Sequence, residues 1–224
     1  MCGRISFTLN KDEFIQILHD RYNIKDYDFD YDFPQYNIAP SKRIISIIND
    51  GINYRVGLLK WGFIPVWAKD EKFYSINAKA ETISSKPMFK QAFKTQRCVI
   101  LADGYYEWKK ENKNKIPHRF TIKDQKVLPL AGLWNTFTKQ DNKKVHTCTI
   151  ITTTPNDSTK QIHDRMPVIL TRENEKLWLD PKVKDEKLLT SLLIPYYNEN
   201  MSFYKVSTIV NNPRNNDKNC IIPI

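Results

Sequence analysis

Arg97-Cys98-Val99-Ile100-Leu101-Ala102-Asp103-Gly104-Tyr105-Tyr106-Glu107-Trp108-Lys109 holds two strand-like runs, Arg97 to Ala102 and Tyr105 to Lys109, set around Asp103-Gly104. The first run is apolar and the second aromatic, and Asp-Gly is a turn signal between them. The same texture continues on both sides. Upstream, Arg43 to Asn49 and Ile52 to Lys60 are strand-like, and Asn49-Asp50-Gly51 predicts a hairpin between them. Downstream, Pro117 to Lys123, Val127 to Trp134, Val145 to Thr153, Met166 to Leu170 and Ser202 to Val206 read as further strands. Gly3 to Leu9 reads as a first one. The polar stretch Lys109 to Lys115 reads as a hairpin loop, and Tyr22 to Pro34, with its alternating Asp and Tyr, as loop.

Helical spacing is confined to a few places. Phe14, Ile15, Ile17 and Leu18 predict a helix over residues 11–20, with acidic residues in its first turn. Pro87 to Lys94, Glu173 to Leu179 and Lys184 to Ile194 read as three more. Many short strands with few helices predict an α+β fold, its mixed, mostly antiparallel sheet curled into a barrel-like core with flanking helices. No linker or repeat divides residues 1–224, so one domain is expected.

The chain carries 35 Lys and Arg against 25 Asp and Glu, a formal charge of +10, which favours a polyanionic partner. No run of about 18 apolar residues predicts a membrane span, and the amino terminus lacks a secretion pattern, so a reducing cytoplasm is expected. The cysteines are Cys2, Cys98, Cys148 and Cys220, with no CxxC pair. Cys98 and Cys148 fall in strand-like runs and read as buried thiols, and no disulfide is expected. No Walker, dinucleotide-binding, HExxH or GxSxG motif occurs, so neither a metal nor another cofactor is predicted.

Four places carry polar chemistry at strand ends. Asn77 lies in Ser75-Ile76-Asn77-Ala78-Lys79-Ala80-Glu81-Thr82 and can donate and accept at once; it either holds a turn or orients a substrate. Glu107 lies between aromatics; desolvated, it would have a raised pKa suited to proton transfer, and facing solvent it would pair with a lysine. His163 in Gln161-Ile162-His163-Asp164-Arg165-Met166-Pro167 is placed as a proton shuttle, with Arg165 able to fork onto a phosphate. In Trp61-Gly62-Phe63-Ile64-Pro65-Val66-Trp67-Ala68, Trp61 reads as core, and Trp67 as either core or a base-stacking ring. His19, His118 and His146 receive no role. Cys2 is the remaining singular residue: loss of Met1 would leave a free α-amine and a thiol on one residue.

In this order, Met1-Cys2-Gly3-Arg4, Tyr36-Asn37-Ile38-Ala39-Pro40, Trp61-Gly62-Phe63-Ile64-Pro65, Asn77-Ala78-Lys79-Ala80-Glu81-Thr82, Ala102-Asp103-Gly104-Tyr105-Tyr106-Glu107-Trp108 and His163-Asp164-Arg165-Met166-Pro167 resemble the SOS response-associated peptidase (SRAP) family. The resemblance runs from residue 2 to Val210-Asn211-Asn212-Pro213-Arg214. It implies a protein that crosslinks itself to abasic sites in single-stranded DNA, with lyase-like and self-processing peptidase character. The catalytic positions it implies are Cys2 as nucleophile, Asn77, Glu107 and His163. The DNA-contacting set is Arg4, Asn37, Pro40, Trp67, Lys79, Thr152 and Arg165. Two positions depart from the family pattern. Lys79 stands where arginine is usual, which keeps the charge and loses the bidentate fork, and Leu101 stands where proline is common.

The implied product is a thiazolidine, formed by the Cys2 amine and thiol with the ring-opened aldehyde of the abasic sugar. The implied partner is single-stranded DNA with abasic sites, met by a monomer in the cytoplasm or on the nucleoid. Two other readings stay open on the residues alone. A liberated Cys2 also suits an N-terminal-nucleophile amidohydrolase, and the basic charge also suits a non-catalytic reader of modified DNA.

Overall fold

The computed structural model describes every residue except Met1, Asn198 and Asn200. Its strands and helices are, in order, β1 (Ile5–Phe7), α1 (Lys11–Tyr22), β2 (Gln35–Ile38), β3 (Arg43–Asn49), β4 (Tyr54–Trp61), β5 (Asn77–Lys79), α2 (Pro87–Thr95), β6 (Arg97–Ala102), β7 (Gly104–Glu111), β8 (Asn114–Ile122), β9 (Leu128–Thr138), β10 (Lys144–Thr153), α3 (Asp157–Lys160), β11 (Met166–Pro167), α4 (Arg172–Leu179), α5 (Glu186–Ser191) and β12 (Met201–Lys205).

Five strands close a barrel: β10 pairs β4, β4 pairs β3, β3 pairs β6, β6 pairs β9, and β9 returns to β10. The β10–β4 pair is parallel and the others are antiparallel. The carboxyl end of β10 runs beyond the closure, where β5 and β11 take its two edges. A second sheet has the order β12-β8-β7-β1-β2. The quoted stretch is therefore the seam of the fold. Arg97–Ala102 is a barrel strand, Gly104–Glu111 belongs to the second sheet, and the chain changes sheet at Asp103.

Local chemistry explains most elements. Asn10 and Glu13 form a capping box at the start of α1, and Phe14, Leu18 and Tyr22 put its apolar stripe into the core. Pro87 opens α2, where a missing N–H costs nothing, and Phe89, Ala92 and Phe93 are its buried face. All six residues of β6 are buried, as befits a strand covered on both faces. The main core fills the barrel and its junctions with the helices. A second apolar cluster, Tyr106, Val206, Val210 and Cys220, seals the carboxyl-terminal segment against the other sheet.

Several expectations need correction. Lys109 to Lys115 is not a loop: β7 and β8 extend through it to a two-residue turn in which Asn112 has φ 54°. The cause is backbone pairing, with Glu111 opposite Asn114, which polar side chains facing water do not oppose. β2 and α3 were not predicted. β11 is shorter than Met166 to Leu170, because beyond Pro167 the chain bonds across to β9 through Leu170 N–H and Pro129 O. Among the described residues no cysteine forms a disulfide, and no helix is long and apolar enough to cross a membrane.

Candidate active site

Asp103 fixes the amino-terminal strand. Its Oδ1 accepts from Ser6 Oγ at 2.6 Å and its Oδ2 from the Thr8 N–H at 2.7 Å and from the Thr8 hydroxyl. Arg119 Nη2 donates to Oδ1 at 3.0 Å, so the buried carboxylate is paired. A Cβ at Gly104 would lie 2.9 Å from the Arg119 guanidinium, so a larger residue there would push that side chain away from Asp103. Anchored this way, β1 pairs with β7, Ile5 opposite Tyr105 and Ser6 opposite Gly104, and the Tyr106 N–H reaches Arg4 O at 3.0 Å. Continuing that register brings the Cys2–Gly3 segment alongside Glu107. Sequence reasoning missed Asp103, Ser6 and Arg119 as the clamp that aims residue 2; the Asp-Gly turn signal was the only trace of it.

His163 arrives from the other direction. Asn156 caps α3 by accepting the Thr159 N–H at 2.8 Å, and Thr159 O receives the His163 N–H at 2.8 Å. This sets the imidazole Nε2 3.6 Å from Glu107 Oε2. Around Nδ1 stand a donor, the Arg165 N–H at 3.0 Å, and an acceptor, Asp164 Oδ1 at 2.9 Å. Both ring tautomers thus have a partner, as a proton shuttle requires. Tyr105 lies beneath, its hydroxyl 3.0 Å from that of Thr159.

Burial dominates the electrostatics. It pushes the Glu107 carboxyl up to about 8, with the Asp164 charge adding to the shift. Burial also lowers the His163 imidazole below its ordinary value. The Cys2 thiol is fully buried and pushed well up, by burial first and the Glu107 charge second. A largely protonated carboxyl, a neutral imidazole and a protonated thiol therefore share one recess near neutral pH. That set can pass protons at little cost, because few net charges need solvation.

A second group forms on the far end of β10. Asn77, Ala78 and Lys79 pair with Ile150, Ile151 and Thr152. Asn77 is buried; its Nδ2 reaches Ile150 O only at 3.5 Å, and its Oδ1 has no hydrogen-bond partner among the described residues. A buried, unmatched amide oxygen costs about 1–3 kcal/mol and marks a place where an incoming donor would be welcome. Arg165 donates to Thr152 O at 2.6 Å and forks onto Glu81 at 2.6 and 2.9 Å. Lys79 is exposed beside them.

The remaining expected residues lie elsewhere. Arg4 turns inward: it donates to Asn37 Oδ1 at 2.6 Å and Val210 O at 2.5 Å and lies over the Trp108 ring. Asn37 uses its amide on Val210 O, Asn212 O and Asn215 O, and so ties down the carboxyl-terminal segment. Pro40 is half-buried in the turn before β3. Trp61 is core, its indole N–H on Ile76 O at 2.9 Å. Trp67 is 56% exposed, its ring 5.3 Å from that of Phe73. Among the described residues no group of three or more His, Cys, Asp or Glu is placed to hold a metal ion.

The model of a family described as SOS response associated peptidase matches residues 1–213. The chain is 47% identical over 225 residues to the abasic site processing protein YoqW of Bacillus subtilis, covering 99% of each. It is 29% identical to the abasic site processing protein HMCES of Xenopus tropicalis, covering 100% of this chain and 78% of that one. A crystal structure of a Bacteroides thetaiotaomicron protein superposes with a TM-score of 0.87 at 27% identity, with full coverage of both chains.

Proposed function

The chain belongs to the SOS response-associated peptidase family, and from that membership we propose that it processes abasic sites in single-stranded DNA by crosslinking to them through Cys2. The observation that carries this reading is the cluster of buried Cys2, buried Glu107 and half-buried His163, with His163 Nε2 3.6 Å from Glu107 Oε2.

Met1 lies outside the described residues, and its hydrolytic removal is the first step of the proposal. The uncovered α-amine has an ordinary pKa of about 7.7–8.0, so a useful fraction is neutral near pH 7. His163 takes the proton of the anomeric hydroxyl and returns one to the sugar ring oxygen as the bond between that oxygen and the anomeric carbon breaks, leaving the aldehyde and an unchanged imidazole. The amine attacks the aldehyde carbon, one water leaves, and an imine forms. The Cys2 sulfur then bonds to the imine carbon while its proton passes to the nitrogen, closing a five-membered thiazolidine. With both nucleophiles on one residue the second step is intramolecular, which supplies a large effective concentration. Glu107, held protonated near neutral pH, gives and retakes the protons at the amine. It also serves the removal of Met1 and the slow reversal of the adduct. Asn77 Oδ1 accepts from a sugar hydroxyl or from the amine.

Lys79 and Arg165 hold flanking phosphates, with the Thr152 strand end between them, and Trp67 stacks on a neighbouring base. Arg4, Asn37 and Pro40 contribute by holding the wall of the recess in place.

The test is intact-mass analysis after mixing the protein with a single-stranded oligonucleotide bearing one abasic site, without a reductant that traps imines. The expected product is a heat-stable adduct one water lighter than the summed masses, absent with Cys2→Ala. Absence of an adduct from protein whose mass shows Met1 removed would falsify the reading.

A further inference from the structure

The open end of the barrel's β3–β4 hairpin breaks a pairing rule. Arg43 and Lys60 are direct cross-strand partners. Like charges placed opposite each other in an antiparallel pair destabilise it. The site adds further cations around these two. Lys139, just after β9, and Lys144, which opens β10, face the same groove of about 340 Å³, with His146 on its wall. One carboxylate enters it: Glu71, 3.3 Å from Lys60 Nζ and 2.9 Å from Lys139 Nζ. Arg43 and Lys144 have no carboxylate partner among the described residues. Four cations from four strand ends converge on a concavity with a single acid. A structural role would place the charges apart, and a polyanion would repay their crowding.

The groove also lies on a track from the site. β10 carries Lys60 opposite Thr147 and Asn77 opposite Ile150. At about 3.3 Å per residue, Lys60 is about 10 Å and Lys144 about 20 Å from the Asn77 position along that strand. Stacked nucleotides advance about 3.4 Å each, so the interval matches about three to six of them. Between the two places lies the loop carrying Trp67, Phe73 and Tyr74, all exposed. Glu71 on that loop staples it to the barrel through Lys60 and Lys139.

We propose that the groove of Arg43, Lys60, Lys139 and Lys144 is a second phosphate subsite, which holds the backbone of the single strand flanking the lesion, several nucleotides from the crosslinking recess. The proposal rests on single-stranded DNA being the substrate, and it is tested without relying on crosslinking. The probes are undamaged single strands of about 4 and about 16 nucleotides, followed by fluorescence anisotropy over a series of salt concentrations. The variant is R43E/K144E, both positions being exposed. The charge-matched comparison is K182E/K184E; the adjoining Pro181 packs on Gly51 at the opposite end of the β3–β4 hairpin. The native protein and K182E/K184E should gain affinity with strand length. R43E/K144E should bind the longer strand about tenfold more weakly at low salt, with the log–log salt slope reduced by about 1.4, two phosphates' worth. An unchanged slope and affinity in R43E/K144E, or an equal loss on short and long strands, overturns the subsite. Failure of the native protein to form an adduct in parallel samples sinks the crosslinking reading alone, because the binding data are scored separately.

Discussion

Glu107 and Glu175 are the same residue at nearly the same burial, 2% and 1% exposed, and they do opposite things. Glu175 sits on α4 amid the guanidinium of Arg21, which donates from Nε at 2.9 Å and from Nη2, the hydroxyl of Tyr22, and Arg172 Nη1 at 3.7 Å. Permanent cations and a fixed donor surround it, and it bolts α4 to α1. Glu107 faces an imidazole at 3.6 Å, itself a weak and titratable partner, and its carboxyl is pushed up to about 8. Burial alone therefore does not decide how firmly a buried carboxyl keeps its proton. The proton affinity of the neighbours does.

The sharpest way to break this comparison is to remove the structural member. Glu175→Ala leaves the Arg21 and Arg172 guanidiniums and the Tyr22 hydroxyl facing a void, at a cost of about 3 kcal/mol. The melting temperature should fall by roughly 6–12 °C for a chain of this size. Adduct yield measured well below the transition should be retained. A lost adduct with an unchanged melt would put Glu175 in the reaction and end the contrast.

Glu107→Gln should do the converse. Shape is kept and proton transfer lost, so the rate of adduct formation should fall about 10²-fold, read by quenched time points on denaturing gels. A rate within twofold of the native one would remove Glu107 from the proton path.

The same variant gives a stability test with a definite sign. The folded carboxyl keeps its proton up to about 8, whereas the unfolded chain releases it near about 4.3. Between those values the native state binds more protons than the unfolded state, so this group's contribution falls as pH rises and levels off above about 8. Removing the carboxyl removes that slope. Relative to the native protein, Glu107→Gln should gain stability from pH 5 to pH 8, by an amount on the order of a few kcal/mol, read as a widening gap between the two melting temperatures. Parallel curves would show that Glu107 ionises freely in the fold.

Glu81 is the intermediate case, a carboxylate forked onto Arg165 but about half exposed, its own pKa lowered chiefly by that arginine. Exposed pairs contribute about 0–1 kcal/mol, so Glu81→Gln should leave the melt almost unmoved. It should tighten binding of undamaged single-stranded DNA about two- to fivefold, because Arg165 then meets phosphate without displacing a carboxylate. Weaker binding would mean that Glu81 positions Arg165 for the strand.

Legibility from sequence followed the range of the interaction involved. β3 and β6 were readable to the residue, and α1 and α2 to within two at their ends, because caps, periodicity and turn residues act over a few positions. β2 was not, since Gln35-Tyr36-Asn37-Ile38 has no strand texture and becomes a strand only by bonding β1. Glu107, Asn77, His163 and Cys2 were singled out by residue type and by family pattern; the fold buries Glu107, Asn77 and Cys2 and half-buries His163. Arg4 and Asn37 were expected to contact DNA; the carboxyl-terminal segment supplies the carbonyls that turn them inward.

The sequence by itself determined most of the strands, which residues were singled out as candidates for chemistry, and the positive sign of the net charge, because these depend on composition and on neighbours a few residues away. Only the tertiary structure decided that Arg97–Ala102 and Gly104–Glu111 belong to different sheets, that β9 returns to β10 to close the barrel, and that Arg43 faces Lys60. It also decided that Glu107 meets His163, 56 positions later in the chain, whereas Glu175 meets Arg21. Those are matters of register between distant segments. Register is set by how the whole core packs at once, which no local stretch can encode.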